Sequence, residues 1–303
     1  MGRLGLDAVL VGAITAAIVV WSGAQRWTGF NSPDSEFYAS LAIFGDEVTS
    51  RSEPAYTWTR LGYIAPVRLL ISVFSTWVGF EVWRIILLGI VVGSVYGLVR
   101  LASTWQTAFV VAVNAGLNTV VLSFAGNTYL TGSCIAGLLL LVTFGAVPVV
   151  TKPQRPWVWV GMSGAVAAWL TMLNPYALGL GMSMWIGLEV VRIVRAQEAW
   201  LRALARDALA GSIAFAVTFA VFLAAGHAIF PGRNWFDTYT TWNARLDYAS
   251  FIGDADAWRG DVSLLVPVIA VVVTVIGMVT TRFRLAAVAG AMIAVGSIVF
   301  TGV

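Results

Sequence analysis

The stretch 101–151 contains no charged side chain. Soluble domains carry about 25% charged residues, so a run of this length does not fit the core of a soluble fold. The whole chain is 59% hydrophobic and 11% charged, with a mean hydropathy of +0.85. This apolar excess is spread along the sequence. It excludes a soluble domain and predicts an all-α, polytopic transmembrane helical bundle.

Nine segments have the length and composition of membrane spans, for which about 20 mostly apolar residues are needed. They are residues 7–23, 85–99, 106–125, 131–150, 156–173, 176–191, 208–226, 262–280 and 285–303. A tenth apolar segment, 61–80, contains Pro66 and Arg68, and we expect it to lie at the interface as a short helix. We expect residues 1–303 to form a single transmembrane domain.

The distribution of Arg and Lys predicts the orientation of these spans. If the N-terminus is cytoplasmic, most of the Arg and Lys residues lie on the cytoplasmic side, in agreement with the positive-inside rule. They are Arg3, Arg100, Lys152, Arg155, Arg192, Arg195, Arg202, Arg206, Arg282 and Arg284. The opposite side receives two long external loops, 24–84 and 227–261. We therefore expect a multi-pass protein of the plasma membrane, here the bacterial inner membrane.

The net charge, the cysteine content and the position of the ionisable residues limit the functions that we expect. The net charge of +3 follows from arginines at the cytoplasmic ends and does not indicate nucleic acid binding. Cys134 is the single cysteine, which excludes a disulfide framework and a thiolate metal site. The span interiors hold almost no ionisable residue, whereas ion-coupled transporters usually place acids or bases at mid-membrane. The charges concentrate in the external loops, so we expect chemistry at the outer membrane interface.

The first external loop contains a short predicted helix. Pro33 suits the first helical position and Gly45 suits the position that closes the helix. Phe37, Leu41 and Phe44 recur at helical spacing and predict an apolar face. The loop therefore predicts an amphipathic helix on the outer surface.

Asp34 and Glu36 lie in the first turn of that helix and have two interpretations. In the first, the acids simply complement the positive end of the helix dipole. In the second, a carboxylate held at the lipid–water boundary serves as a general base. Positions i and i+2 do not share a helix face, so one acid at most is expected to act, and Asp34 is favoured.

The cationic residues of the external loops are candidate phosphate ligands. Arg60 and Arg68 follow the first predicted helix, and a guanidinium group holds phosphate through paired hydrogen bonds. Snorkelling of the arginines toward water is the alternative. His227, the single histidine, opens the second loop, which also carries Arg245. One histidine does not form a zinc site by itself.

The order of these motifs resembles a known class of enzymes. The first span is followed by Asp34-Ser35-Glu36-Phe37-Tyr38, then by an interfacial stretch from Tyr56 to Pro66. The segment Gly79-Phe80-Glu81-Val82-Trp83-Arg84 leads into the next span. This pattern resembles the GT-C class of integral membrane glycosyltransferases, including the protein O-mannosyltransferase-like and arabinosyltransferase-like families. The resemblance covers most of the chain in topology and about residues 30–100 in motif.

The resemblance implies a hexosyl- or pentosyltransferase that uses a polyprenyl-phosphate-linked sugar as donor. The acceptor would be a hydroxyl group of a glycan, lipid or protein at the external face. By this resemblance Asp34, with Glu36 beside it, is the catalytic base. The implied donor-binding residues are Arg60, Arg68, Arg245, His227 and Tyr38. The other partners expected are membrane lipids, and no nucleic acid.

Two departures from the class affect the expectation. The turn Gly126-Asn127-Thr128-Tyr129 has no acid, which favours the metal-independent branch without a cofactor and leaves a divalent cation as the alternative. The chain stops at Val303, whereas members of the class are usually longer, so we expect a short member or a fragment. A polytopic transporter or lipid flippase, and a non-catalytic GT-C-like subunit of cell-envelope assembly, are the alternative functions.

Overall fold

The computed structural model describes residues 3–22, 33–45, 47–48, 59–118, 121–122, 130–196, 200–231 and 234–245. Within these ranges the regular structure is helical, without strands. The helices are α1 (Arg3–Trp21), α2 (Pro33–Phe44), α3 (Leu61–Val73), α4 (Thr76–Ala102), α5 (Trp105–Leu117), α6 (Thr131–Thr151), α7 (Pro156–Leu173), α8 (Pro175–Ala196), α9 (Trp200–Ile229) and α10 (Trp235–Arg245).

Four of the described helices, α4, α6, α7 and α9, are long and apolar enough to cross a membrane. Apolar helices too short for that criterion lie within α1, α3 and α5. The prediction of an all-helical membrane protein is confirmed at this level. The predicted spans 262–280 and 285–303 lie outside the described residues.

Contacts at the two ends of α1 fix its direction relative to α4. Near the end of α1, Ser22 Oγ accepts a hydrogen bond from Arg84 Nη2, at the start of α4, over 3.3 Å. Near its beginning, Asp7 lies 3.7 Å from Arg100 Nε at the end of α4. The two helices are therefore antiparallel. We call the end of the bundle that holds Ser22 and Arg84 the Arg60 face, and the end that holds Asp7 and Arg100 the Arg100 face.

Helix α6 is the centre of the bundle. All residues of its first half, 131–139, are buried, and it packs against α4, α7 and α8. Helix α9 is peripheral and exposes Leu209, Ile213, Val217 and Val221 at four-residue spacing. Because lipid is as apolar as these side chains, the stripe needs no protein cover in a membrane.

Small residues allow the helices to approach closely. Gly89, Gly93 and Gly97 recur at four-residue spacing along α4, where a Cβ at Gly89 or Gly93 would be 3.7 or 3.5 Å from a side chain of α1. The tightest crossing joins α7 to α9, where a Cβ on Gly164 would collide with the backbone of Gly211. Small-residue crossings of this kind are typical of helix packing in membranes.

The segment 61–80 is divided between two helices. Its first part forms α3, a separate helix of 13 residues. Its last residues belong to α4, which begins at Thr76 and not at the predicted residue 85. A Cβ on Gly79 would lie 2.9 Å from Ile71, so α3 folds back closely onto the first turn of α4. Helix α3 thus lies beside the spans at the Arg60 face.

Candidate active site

Helix α2 has the bounds that the sequence predicts. It begins at Pro33 and ends at Phe44. Gly45 follows with φ of +38°, and its N–H donates to the carbonyl oxygen of Leu41 over 3.2 Å. Glycine tolerates this left-handed conformation, which explains why the helix stops there.

The three residues of the predicted apolar face of α2 differ in burial. Leu41 is fully buried, but Phe37 and Phe44 are 43% and 53% exposed. Tyr38 and Ala42 take the buried positions beside Leu41. In lipid surroundings an exposed phenyl ring costs little, so aromatic side chains do not mark the protein-facing side.

Helices α2 and α3 pack side by side with the same direction. Near their first turns, the rings of Tyr38 and Tyr63 have centroids 6.1 Å apart at an interplanar angle of 60°. Near the end of α2, Arg68 Nη1 donates to the carbonyl oxygen of Ala42 over 3.1 Å and also to that of Ile43. Burial raises the pKa of the Tyr63 phenol. The pairing places the start of α2 beside the start of α3.

Arg68 has a position that sequence patterns did not indicate. Its guanidinium group binds the last carbonyl groups of α2, and the Cβ of a residue at position 45 would lie 3.4 Å from Arg68 Nη1. Carbonyl groups at a helix end have no partner within the helix, and a cation there also matches the dipole. Arg68 thus holds α2 against α3, and its role as a phosphate ligand stays a prediction.

Arg60 is, like Arg84, a buried cation of this face. It immediately precedes α3, and its carbonyl oxygen accepts hydrogen bonds from the N–H groups of Tyr63 and Ile64 over 3.0 and 3.1 Å. Only 6% of the residue is exposed. The indole ring of Trp169, whose N–H binds the carbonyl oxygen of Gly62 two residues after Arg60, also lies 3.5 Å from where a Cβ on Gly137 of α6 would be. Arg60 and the first half of the central helix α6 therefore lie at the same end of the bundle.

The first turn of α6 adds polar groups to this end of the bundle. Thr131, Ser133 and Cys134 are all buried. Within the described part of the chain, the Ser133 hydroxyl has no hydrogen-bond partner. The N-cap residue, Leu130, provides no side-chain acceptor for the first N–H groups of the helix. The arrangement offers a guanidinium, a hydroxyl and a positive helix end, a combination that suits an anion.

Sequence reasoning missed the contribution of α6. The residues Thr131 and Ser133 are polar side chains at the beginning of an otherwise apolar span. Polar residues there are expensive to bury unless they have a partner, so their presence was the available signal. That they lie at the same end of the bundle as Arg60 follows from tertiary packing alone.

The structure describes the side chain of Glu36 but not that of Asp34. Glu36 is exposed. Asp34 lies in the first turn of α2 as predicted, while its side chain is outside the described residues. The backbone at position 34 is one turn before Tyr38, which contacts Tyr63 in the first turn of α3. Position 34 therefore belongs to the end of α2 that lies toward the start of α3, where Arg60 is found.

The other predicted donor-binding residues, His227 and Arg245, lie at the end of α9 and in the helix that follows it. His227 lies in the last turn of α9 and is exposed. Arg245 is the last residue of α10, and its side chain is outside the described residues. The hydroxyl of Tyr239, in α10, donates to the carbonyl oxygen of Thr171 over 3.2 Å. Helix α10 is thereby held against the last turns of α7, at the Arg60 face.

Helix α7 connects the two groups. Two residues before Thr171, the Trp169 indole N–H donates to the carbonyl oxygen of Gly62 in α3 over 2.9 Å. The last two turns of α7 therefore hold both α3 and α10. Arg60 and Arg68 belong to the first of these attachments, and His227 and Arg245 to the second.

Comparison with known proteins adds no assignment to this geometry. No family model matches the chain, and neither the curated proteins nor the solved structures give a match. Among the residues that the structure describes, no group of three or more His, Cys, Asp and Glu side chains is placed to hold a metal ion.

Proposed function

We propose that this protein is a membrane glycosyltransferase that moves a sugar from a polyprenyl-phosphate carrier to a hydroxyl acceptor at the external face of the bacterial plasma membrane. The proposal includes nine spans, a cytoplasmic N-terminus and Asp34 as general base. The observation that carries it is the buried guanidinium of Arg60, which lies at the same end of the bundle as the first turn of α6.

The phosphate end of the reaction is supported by the chemistry around Arg60. When the bond between the anomeric carbon and the phosphate oxygen breaks, negative charge grows on the leaving phosphate. A fixed cation and helix N–H groups in water-poor surroundings stabilise such charge without reorganisation. In the proposal, Arg60 binds the phosphate, the first turn of α6 supplies N–H groups, and Ser133 supplies a hydroxyl donor.

The acceptor end of the reaction rests on Asp34. The carboxylate takes the proton of the acceptor hydroxyl, the acceptor oxygen attacks the anomeric carbon, and the polyprenyl phosphate leaves with the electron pair of the broken bond. The same-direction packing of α2 and α3 supports this role, because it sets position 34 at the end of α2 beside the start of α3. Glu36, which is exposed two residues later, is not needed as a second base.

The contacts of Arg68 distinguish its proposed role from that of Arg60. Arg68 binds the carbonyl groups at the end of α2, so we give it a positioning role. Arg60 is then the donor ligand of this loop. His227, Arg245 and Tyr38 remain proposed contacts to the donor, with Tyr38 acting through its packing on Tyr63.

A transfer assay with membranes tests the proposal. Membranes that contain the full chain are supplied with polyprenyl-phosphate mannose or polyprenyl-phosphate arabinose, each labelled in the sugar. We expect label to pass from the solvent-extractable donor to a non-extractable acceptor. Asp34→Asn and Asp34→Ala should each abolish the transfer, because neither side chain takes a proton at neutral pH.

Glu36→Gln is the matched control, since it removes a neighbouring carboxylate from the same helix turn. It should keep most of the activity. Full activity in Asp34→Asn would contradict the general-base role. Absence of transfer by the wild-type chain with both donors would contradict the proposed donors and favour the non-catalytic subunit.

A further inference from the structure

An open groove lies at the Arg100 face, at the opposite end of the bundle from the candidate active site. It has a volume of about 480 Å³ and is formed by the start of α1, the end of α4 and the start of α5. Its lining includes Asp7, Arg100, Trp105 and Gln106. None of its lining residues takes part in the proposed reaction.

Two opposite charges face each other in this groove without forming a close ion pair. Asp7 Oδ1 and Arg100 Nε are 3.7 Å apart. The same carboxylate oxygen accepts a hydrogen bond from the Tyr96 hydroxyl over 2.6 Å, and Arg100 Nη1 donates to the carbonyl oxygen of Ser103 over 3.0 Å. These contacts use Oδ1 of the Asp7 carboxylate and Nη1 of the Arg100 guanidinium group.

Both charged side chains are accessible from the groove. The Arg100 side chain is 34% exposed and that of Asp7 is 26% exposed. The buried Tyr96 donates its hydroxyl hydrogen to the Asp7 carboxylate and fixes its position. The groove thus presents a fixed anion and a fixed cation a few ångströms apart, which is a pattern for a ligand that carries both charges.

The residues around the groove suit a phospholipid. Trp105 is exposed at the first position of α5, as interfacial tryptophans commonly are. Val9 on α1, and Phe109 and Val110 on α5, are exposed apolar side chains within one or two turns of the groove. Acyl chains that extend from a headgroup in the groove would find this apolar surface.

We propose that the groove binds the headgroup of a phospholipid that carries a phosphate and a primary ammonium group. Arg100 and the first N–H groups of α5 bind the phosphate, and Asp7 accepts hydrogen bonds from the ammonium. A quaternary ammonium has no N–H to donate, and a glycerol headgroup has no cation for Asp7. The site therefore selects phosphatidylethanolamine over phosphatidylcholine and phosphatidylglycerol.

Native mass spectrometry of the delipidated full chain in mild detergent tests the selection. The protein is titrated with equal amounts of the three phospholipids, all with palmitoyl and oleoyl chains. We expect phosphatidylethanolamine to bind about tenfold more tightly than phosphatidylcholine, the effect of one charge-assisted hydrogen bond. Asp7→Asn should bring this ratio close to one, and Arg100→Gln should weaken the binding of all three lipids.

Two further variants keep the test decisive. Gln106→Glu adds a negative charge at an exposed position in the first turn of α5, where an acid favours the helix, and it should weaken phospholipid binding without unfolding the chain. Arg155→Gln changes an exposed arginine between α6 and α7 and should have no effect. Equal binding of the three lipids, preference for phosphatidylglycerol, or an unchanged ratio in Asp7→Asn would overturn the proposal.

Discussion

The indole N–H of Trp169 takes the place of a backbone donor that α3 lacks. It donates to the carbonyl oxygen of Gly62, 2.9 Å away. In a regular helix this oxygen would accept from the N–H four residues later, but that residue is Pro66, which has none. The bond ties α3 to α7 two residues after Arg60, so it fixes the beginning of the candidate phosphate site.

Trp169→Phe should destabilise the protein because it leaves the buried Gly62 carbonyl without its donor. The expected loss is about 1–3 kcal/mol in the free energy of unfolding. Pro66→Ala restores a backbone N–H, so the same Trp169→Phe change should cost less in that background. Unfolding of the four proteins in detergent gives the coupling as a double-mutant cycle.

Trp159→Phe is the control for this cycle. Trp159 lies in the same helix and packs against Phe144, with ring centroids 5.9 Å apart. Its replacement should cost the same with and without the Pro66→Ala change. Equal costs of Trp169→Phe in the two backgrounds would show that the indole does not substitute for the missing donor.

The beginning and end of α2 were predictable, but its orientation was not. Pro33 and Gly45 act through local backbone geometry, which sequence records directly. The buried side of the helix is set by tertiary packing against α3. In a membrane, Phe37 and Phe44 are satisfied by lipid, so hydrophobicity does not separate protein-facing from lipid-facing positions.

The candidate site shows the same division between local and tertiary information. Arg60 was identified from its charge near an apolar segment, but Ser133, at the same end of the bundle, comes from a helix far away in sequence. Pro66 indicates that the Gly62 carbonyl needs a donor, yet nothing local identifies Trp169 as that donor. Arg68 was expected to face a phosphate, and its binding to the carbonyl groups of α2 could not be predicted without the packing of the two helices.

Arg68→Ala should loosen α2 from its C-terminal end, because the carbonyl groups of Ala42 and Ile43 lose their cationic donor. We expect faster amide hydrogen exchange in residues 33–45 and a loss of about 1–2 kcal/mol, typical of a charged hydrogen bond at a helix end. Arg68→Lys should recover part of the protection. Unchanged exchange in α2, alongside weaker donor binding, would instead support Arg68 as a phosphate ligand.

A buried ion network joins α8 to α9 at the Arg100 face. Arg192 Nε lies 3.0 Å from both carboxylate oxygens of Glu189, and Arg192 Nη2 also binds Asp207. Arg206 Nε approaches Asp207 from outside, at 2.9 Å. Arg192 is buried while the Arg206 side chain is 39% exposed.

Arg192→Met should be far more harmful than Arg206→Met. The first change leaves two buried carboxylates without their shared cation, which costs about 3–5 kcal/mol in comparable cases. The second removes a partly exposed cation and leaves Asp207 paired with the buried Arg192, so it should cost much less. Thermal unfolding of both variants in detergent measures the difference, and similar losses would show that burial does not control this network.

Gly164→Ala should weaken the crossing of α7 and α9. The added methyl group would collide with the backbone of Gly211, and overpacking of this kind costs about 1–3 kcal/mol. Gly12→Ala, in α1, is the matched control because no atom lies within 4 Å of its added Cβ. That control should be neutral or slightly stabilising, since alanine favours helix. A neutral Gly164→Ala would mean that the two helices are not in close contact.

The most direct test of the central claim is native mass spectrometry of the full chain, purified gently from its own membrane. We predict that the wild-type protein and Arg155→Gln retain a polyprenyl phosphate or its sugar-loaded form. Arg60→Gln should lose this ligand, because a neutral amide does not hold the phosphate charge. Retention of only bulk phospholipids by intact wild-type protein, or equal retention of polyprenyl phosphate by Arg60→Gln, would contradict the account.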